Sequence, residues 1–202
     1  MSGRRICLFG GTFDPIHHAH LQIAEAAQKR LDLDEVLFVP AGNPPHKDAA
    51  AVSPYEDRFR MVEIACAPYP KFKASRLEER EARSYTVDTL ERVRRNLDPE
   101  DRLFFLIGAD AFNELETWHR WQRVVELAEF IVVERPGGEY HVPDKARVHC
   151  LNGIALPVSS STIRPRLAEG EATPELPSGV RAYIEKHGLY GAIRGPVSPS
   201  RL

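Results

Sequence analysis

Short apolar runs alternate along this chain with longer segments whose apolar residues recur every three or four positions. The short runs, Ile6–Phe9, Val36–Val39, Lys71–Ala74, Leu103–Ile107, Phe130–Glu134 and Arg147–Leu151, predict strands. The longer segments, Ala19–Leu31, Pro54–Ala67, Thr86–Asn96, Trp121–Leu127, Ser161–Glu169 and Gly179–His187, predict helices. In the first of these, Leu21, Ala24 and Gln28 run beside Ile23, Ala27 and Leu31, a mixed but usable amphipathic pattern. Regular alternation of strand and helix predicts an α/β fold, an open and mainly parallel sheet with helices on both faces and right-handed crossovers. Pro and Gly concentrate at 40–54, 136–143 and 195–199. The first two stretches read as loops over a site. The third reads as a tail, so residues 1–194 are expected to form one domain and 195–202 a flexible end.

Composition narrows the class. The chain has 202 residues, enough for one domain with a real core. Its formal net charge of −2 leaves no broad basic surface for nucleic acid. Cys7, Cys66 and Cys150 are too far apart for a disulfide framework or a zinc ribbon. No apolar run approaches membrane-spanning length, and the run after Arg4 and Arg5 is too short for a secretory signal. A cytoplasmic enzyme with no nucleic-acid or membrane partner is the expectation, with homo-oligomer formation left open.

Candidate chemistry follows the strands, as expected where ligands bind beyond the strands' carboxyl ends. After the first strand come Gly10-Gly11-Thr12-Phe13-Asp14-Pro15-Ile16-His17, then His18, Ala19 and His20. Glycines let a ligand approach the backbone. A helix starting near His18 would place His17 and His20 at its mouth, where free N–H groups and the dipole favour phosphate. The NTPase loop is excluded because no Gly-Lys-Ser/Thr follows, and the dinucleotide fingerprint because its third glycine is missing. The helical zinc motif needs histidines four apart with a glutamate beside the first, and neither condition holds. After the second strand, Pro44-Pro45-His46-Lys47 stiffens a loop and presents a donor and a positive charge. Tyr85 and Thr86 open a helix, with Thr86 either a plain N-cap or part of a carboxylate site. Gly108 and Asp110 follow the fourth strand, where a ribose hydroxyl could be received. Trp118-His119-Arg120-Trp121 supplies two indoles, Trp121 opening an apolar helix and Trp118 free to stack on a flat ring. Arg135 either contacts nucleotide or pins a turn. Ser159, Ser160, Ser161 and Thr162 offer more hydroxyls than one cap needs, and Arg164 adds charge. Pro165 is expected in the first turn of the helix there.

The opening motif resembles that of the nucleotidyltransferase superfamily, and its longer form Gly10 to His17 resembles bacterial nicotinate mononucleotide adenylyltransferases. Pro44–Lys47, Ser84-Tyr85-Thr86-Val87-Asp88-Thr89, Arg135-Pro136-Gly137, Val158–Arg164 and the closing Tyr183–Tyr190 resemble that family's other motifs, so the likeness runs from Arg5 to about Tyr190. Ala19 stands where the family has glycine, and Val158 and Ser161 replace isoleucine and threonine. The resemblance implies a Rossmann-like nucleotidyltransferase fold and transfer of AMP from ATP to nicotinate mononucleotide, giving deamido-NAD and pyrophosphate. It implies catalytic roles for His17, His20, Lys47 and Arg164. ATP would be bound by Gly10, Gly11, Thr12, Phe13, His17, His20, Gly108, Asp110, Ser159, Ser160, Ser161 and Arg164. The mononucleotide would be bound by Asp14, His46, Lys47, Tyr85, Thr86, Trp118, His119 and Arg135, with stacking on Trp118. Mg²⁺ would ride on the ATP phosphates without direct protein ligands, and the histidines would be protonated near neutral pH. Transfer to nicotinamide mononucleotide or phosphopantetheine, cytidylyl transfer, and a nucleotide-sensing module without turnover are the alternative readings.

Overall fold

A computed structural model describes residues 3–43, 52–79, 85–134, 140–153 and 158–192. Six strands form one sheet: β1 (Arg5–Gly11), β2 (Glu35–Pro40), β3 (Phe72–Ala74), β4 (Arg102–Gly108), β5 (Glu129–Val133) and β6 (Val148–Leu151). Their order is β3-β2-β1-β4-β5-β6 and every pairing is parallel. The helices are α1 (His18–Leu31), α2 (Tyr55–Cys66), α3 (Thr86–Arg94), α4 (Ala109–Asn113), α5 (Trp121–Leu127), α6 (Ser160–Ala168) and α7 (Ser178–His187). Short 3₁₀ turns occupy Leu115–Thr117 and Leu189–Gly191. All six predicted strands and all six predicted helices are present, with ends displaced by a residue or two. The added elements are α4 and the 3₁₀ turns. The expected tail, 195–202, lies outside the described residues.

Alternation along β1 divides the core. Cys7 and Phe9 face one hydrophobic cluster with Ala24, Met61, Val62, Ile163 and Ile184 from α1, α2, α6 and α7. Ile6 and Leu8 face a second cluster with Val87, Leu90, Val124 and Val125 from α3 and α5. Both faces of the sheet are therefore covered, as an all-parallel sheet requires. At the amino ends of the strands, Glu129 is buried and accepts two bonds from Arg102, at 2.9 and 2.7 Å, and lies 2.8 Å from His149 Nε2. Burial by itself would raise this carboxyl, but Arg102 and His149 prevail and hold it at about 2. This ion cluster fastens β4, β5 and β6 at the end away from the candidate site.

The order of strand addition reverses between β1 and β4: β2 and β3 extend the sheet on one side of β1, and β5 and β6 extend it on the other side of β4. The loops after these two strands diverge to opposite faces of the sheet and leave a crevice beyond their carboxyl ends. Among the described residues no helix is long and apolar enough to cross a membrane.

Candidate active site

A cavity of about 500 Å³ fills this crevice. Gly10 and Gly11 of β1, Gly108 of β4 and Tyr85, Thr86, Trp118 and His119 from the α3–α5 face line it. The glycines differ in why they are glycine. A Cβ on Gly11 would sit 2.9 Å from the Phe13 ring, so packing alone forbids one. A Cβ on Gly10 would meet only Phe105 at ordinary contact, 3.7 Å, and one on Gly108 would meet nothing. Neither of these two needs a left-handed backbone. Space is left open at both, on the two strands that flank the switch point, where a ligand can approach the main chain.

The loop from Gly11 to Pro15 is held almost entirely by its carbonyls. Gly11 accepts from the Ala41 amide at 2.9 Å and Thr12 from Arg58 Nη1 at 2.9 Å. Asp14 accepts from Arg164 Nη1 at 2.9 Å and Pro15 from Ser160 Oγ at 2.9 Å. A planar trans peptide points its N–H opposite its C=O. The amides of Thr12, Phe13 and Ile16 are thereby turned away from these anchors. The Phe13 side chain is buried against Phe9, Phe38 and His20, at positive φ (48°), so only its backbone is available to a nucleotide. Asp14, expected to touch substrate, is 2 % exposed. Its Oδ1 accepts from Tyr190 at 2.6 Å and its Oδ2 from the Ser53 amide at 3.3 Å, so its side chain supports the loop from behind.

His17 is the N-cap of α1 and His20 the third residue of its first turn. Their rings stack with centroids 3.7 Å apart. His20 Nδ1 accepts from the His17 backbone amide at 3.3 Å, which leaves Nε2 to carry the proton and act as donor. Nδ1 of His17 is buried without a protein partner. Burial pushes the His17 imidazole down to about 4, against the opposing pull of Glu175, and burial beside His17 pushes His20 well below its ordinary value. Both rings are therefore neutral donors in the free protein, which corrects the expectation of protonated histidines. Two stacked imidazolium ions could not be held here without a countercharge. Ala19 is 5 % exposed, so its extra methyl faces protein and not the open crevice.

The second signature folds onto the first. Ser159 caps α6, accepting from the Thr162 amide at 3.3 Å, and its Oγ lies 2.9 Å from that of Ser161. Ser160 and Arg164 reach across 145 and 150 residues of sequence to Pro15 and Asp14. They serve first as ties that bring the mouths of α1 and α6 together. The first amides of α6 have no acceptor within the helix and complete an anion-seeking surface. Pro165 lies well inside α6, not in its first turn as expected.

On the other side of the crevice Tyr85, not Thr86, is the N-cap of α3, and it makes no side-chain capping bond. Tyr85 and His119 pair their rings at 4.5 Å. Trp118 meets Phe105 edge-on at 6.2 Å and keeps one side toward the cavity. Trp121, expected in the core, is only partly buried against it. Asp110 is exposed in the first turn of α4. His46, Lys47 and Arg135 lie outside the described residues. Arg58, which the sequence reading passed over, is 1 % exposed and holds both Thr12 and Ser53 through their carbonyls.

Parallel strands, a switch-point crevice and two helix mouths joined beside it define a nucleotidyltransferase. The Cytidylyltransferase-like family model matches residues 8–166. A Solibacter usitatus protein named "Probable nicotinate-nucleotide adenylyltransferase" is 50 % identical over 186 residues, 92 % of this chain and 99 % of its own. A Thermus thermophilus protein of the same name is 48 % identical over 191 residues, with the same coverage. The chain belongs to the nicotinate-nucleotide adenylyltransferase family. The fold is also that of the Plasmodium falciparum nicotinic acid mononucleotide adenylyltransferase complexed with NaAD, with a TM-score of 0.76 at 22 % identity, covering 93 % of this chain and 97 % of that one.

Two outcomes follow from the geometry. Gly10→Ala and Gly108→Ala are expected to keep wild-type thermal stability while raising the KM for nucleotide about tenfold, a loss of ~1.4 kcal/mol. Gly11→Ala is expected instead to cost ~1–3 kcal/mol of stability through overpacking; thermal melts and steady-state kinetics on all three variants separate the cases. The second concerns pH. The unfolded His17 takes up a proton near 6.5, which the folded ring refuses until about 4. Stability therefore falls as pH drops through that window, by roughly 2 kcal/mol from this group between pH 7 and 5. Urea unfolding at the two pH values should show a smaller loss for His17→Asn than for wild type.

Proposed function

We propose that this chain transfers AMP from ATP to nicotinate mononucleotide, forming deamido-NAD and releasing pyrophosphate. The observation that carries the reading is the tie between the two signatures: Ser160 and Arg164 bond the Pro15 and Asp14 carbonyls, so the mouths of α1 and α6 are held together beside the β1–β4 crevice. Names of close relatives support the pyridine substrate.

The acceptor's phosphate is itself the nucleophile. Its oxygen forms a bond to the α-phosphorus of ATP while the bond to the bridging oxygen of pyrophosphate breaks. The protein aligns the two in line and stabilises the charge that gathers on the bridging and leaving oxygens. His20 Nε2–H, fixed as donor by the His17 amide, serves the reacting phosphate, and His17 lies stacked beside it. The remaining N–H groups of Arg164 and the first amides of α6 serve the β and γ phosphates, with Lys47 adding charge from its loop. The aromatic wall of Trp118 and the uncapped start of α3 at Thr86 suit a flat ring bearing a carboxylate. Mg²⁺ enters with ATP and offsets phosphate charge. Both Asp14 oxygens are engaged, so this carboxylate is not placed to ligate it, which fits a metal carried by the triphosphate.

The test is product formation from Mg·ATP with nicotinate mononucleotide, compared by kcat/KM with nicotinamide mononucleotide and with CTP in place of ATP. Absence of deamido-NAD from the purified protein would reject the reading in favour of a sensing module. His20→Ala is expected to lower kcat at least ~100-fold with the fold intact, the scale of losing one preorganised donor. Near-normal turnover would remove His20 from the chemistry. Trp118→Ala should act mainly on the KM for the mononucleotide, since each base–aromatic stack contributes ~1–3 kcal/mol.

A further inference from the structure

We infer that Tyr190, near the end of the described chain, is a positioning residue for the reaction: through Asp14 it sets the loop that carries His17. The inference rests on the proposed adenylyl transfer for its kinetic arm only. Tyr190 lies in the 3₁₀ turn that follows α7, at positive φ (58°), a left-handed conformation that tyrosine rarely adopts. Gly188 and Gly191, also at positive φ, flank it. The turn aims the phenol into the first core cluster, where it packs partly buried and donates to Asp14 Oδ1 at 2.6 Å across 176 residues of sequence. Burial and the Asp14 charge both push the phenol up, so it stays a donor.

What it holds is the middle of the β1–α1 loop. The Asp14 main chain is pinned by Arg164 and its side chain by Tyr190 and Ser53. Arg58, buried beneath, draws the Thr12 and Ser53 carbonyls together. Asp14 is thus the junction of three segments, the β1–α1 loop, the start of α2 and the turn after α7. His17 begins α1 three residues further on. Removing the phenolic oxygen leaves a buried carboxylate oxygen without its shortest partner, and the loop must shift to satisfy it. A shift of this kind misplaces the histidines relative to phosphate while the α3–α5 wall of the cavity stays as it was.

Tyr183 provides the matched control. It lies on α7 and donates to Asp57 of α2 at 2.8 Å, a bond of the same type that touches no part of the loop. Tyr190→Phe is expected to lower the melting temperature more than Tyr183→Phe, because Asp14 is buried and Asp57 only partly so. Only Tyr190→Phe should lower kcat, about 10- to 100-fold, with the KM for each substrate within about threefold of wild type. Independently of any substrate, the His17 and His20 ring resonances in the ligand-free protein should move in Tyr190→Phe and not in Tyr183→Phe. A Tyr190→Phe protein that keeps wild-type kcat and histidine resonances overturns the inference. So does a Tyr183→Phe protein with equal loss of kcat, or a Tyr190→Phe protein that fails to fold, since each makes the contact merely structural. An inactive wild type would reject adenylyl transfer itself, while the histidine resonances would still decide the positioning role.

Discussion

The site depends on one constraint: the carbonyls of Gly11, Thr12, Asp14 and Pro15 in the loop after β1 are committed to the protein. Ala41, Arg58, Arg164 and Ser160 each take one, and they come from three parts of the chain: the end of β2, α2 and α6. Asp14 is followed by a proline in a cis bond, but the trans peptides after Gly11, Thr12 and Pro15 turn the amides of Thr12, Phe13 and Ile16 away from these anchors, and amides free of protein acceptors suit an anion. This explains why Phe13 can be wholly packed and still belong to the nucleotide-facing segment. It also explains why Ser160 and Arg164 act twice, as ties for the loop and as members of the second helix mouth.

Neutral histidines change the electrostatic account. Packing His17 against His20 at 3.7 Å and burying both makes two imidazolium charges untenable in the free protein. What the pair offers instead is direction. The His17 amide consumes Nδ1 of His20, so the remaining ring proton has one place to go. Among the described residues positive charge at these helix mouths then comes from Arg164. A preorganised neutral donor is effective in a dry site because it need not reorganise as charge moves onto the leaving oxygen.

The fold was legible because period and position agree. β1, β4 and β5 are continuous apolar runs, the signature of strands buried on both faces, and the helices between them are long enough to show a period. α4 escaped because five residues show no period, and the 3₁₀ turns escaped for the same reason. Motif residues at the strand ends were legible as chemistry, but their division of labour was not. Nothing in the spacing separates Asp14, whose carboxylate is turned inward to Tyr190, from a carboxylate turned to solvent. Thr86 looked like a cap because threonine caps well, yet the chain places Tyr85 there, and its side chain makes no capping bond. Arg58 and Tyr190 could not have been found locally, since each acquires its meaning from contacts 46 and 176 residues away.

The candidate groups divide between the two faces of the sheet. Loops that pass to the α1–α6 face carry phosphate-seeking groups, and those that pass to the α3–α5 face carry aromatic rings and an open helix start. Gly10 and Gly108, at the carboxyl ends of β1 and β4, line the cavity between the two sets and leave room for a ligand at the main chain. A reaction that joins two nucleotides through one phosphate needs this separation: two binding surfaces that do not overlap, and one line of contact where the phosphates can meet. In the proposed adenylyl transfer, side chains would select what binds on each face, and the bare main chain at the switch point would leave room for the phosphates between them.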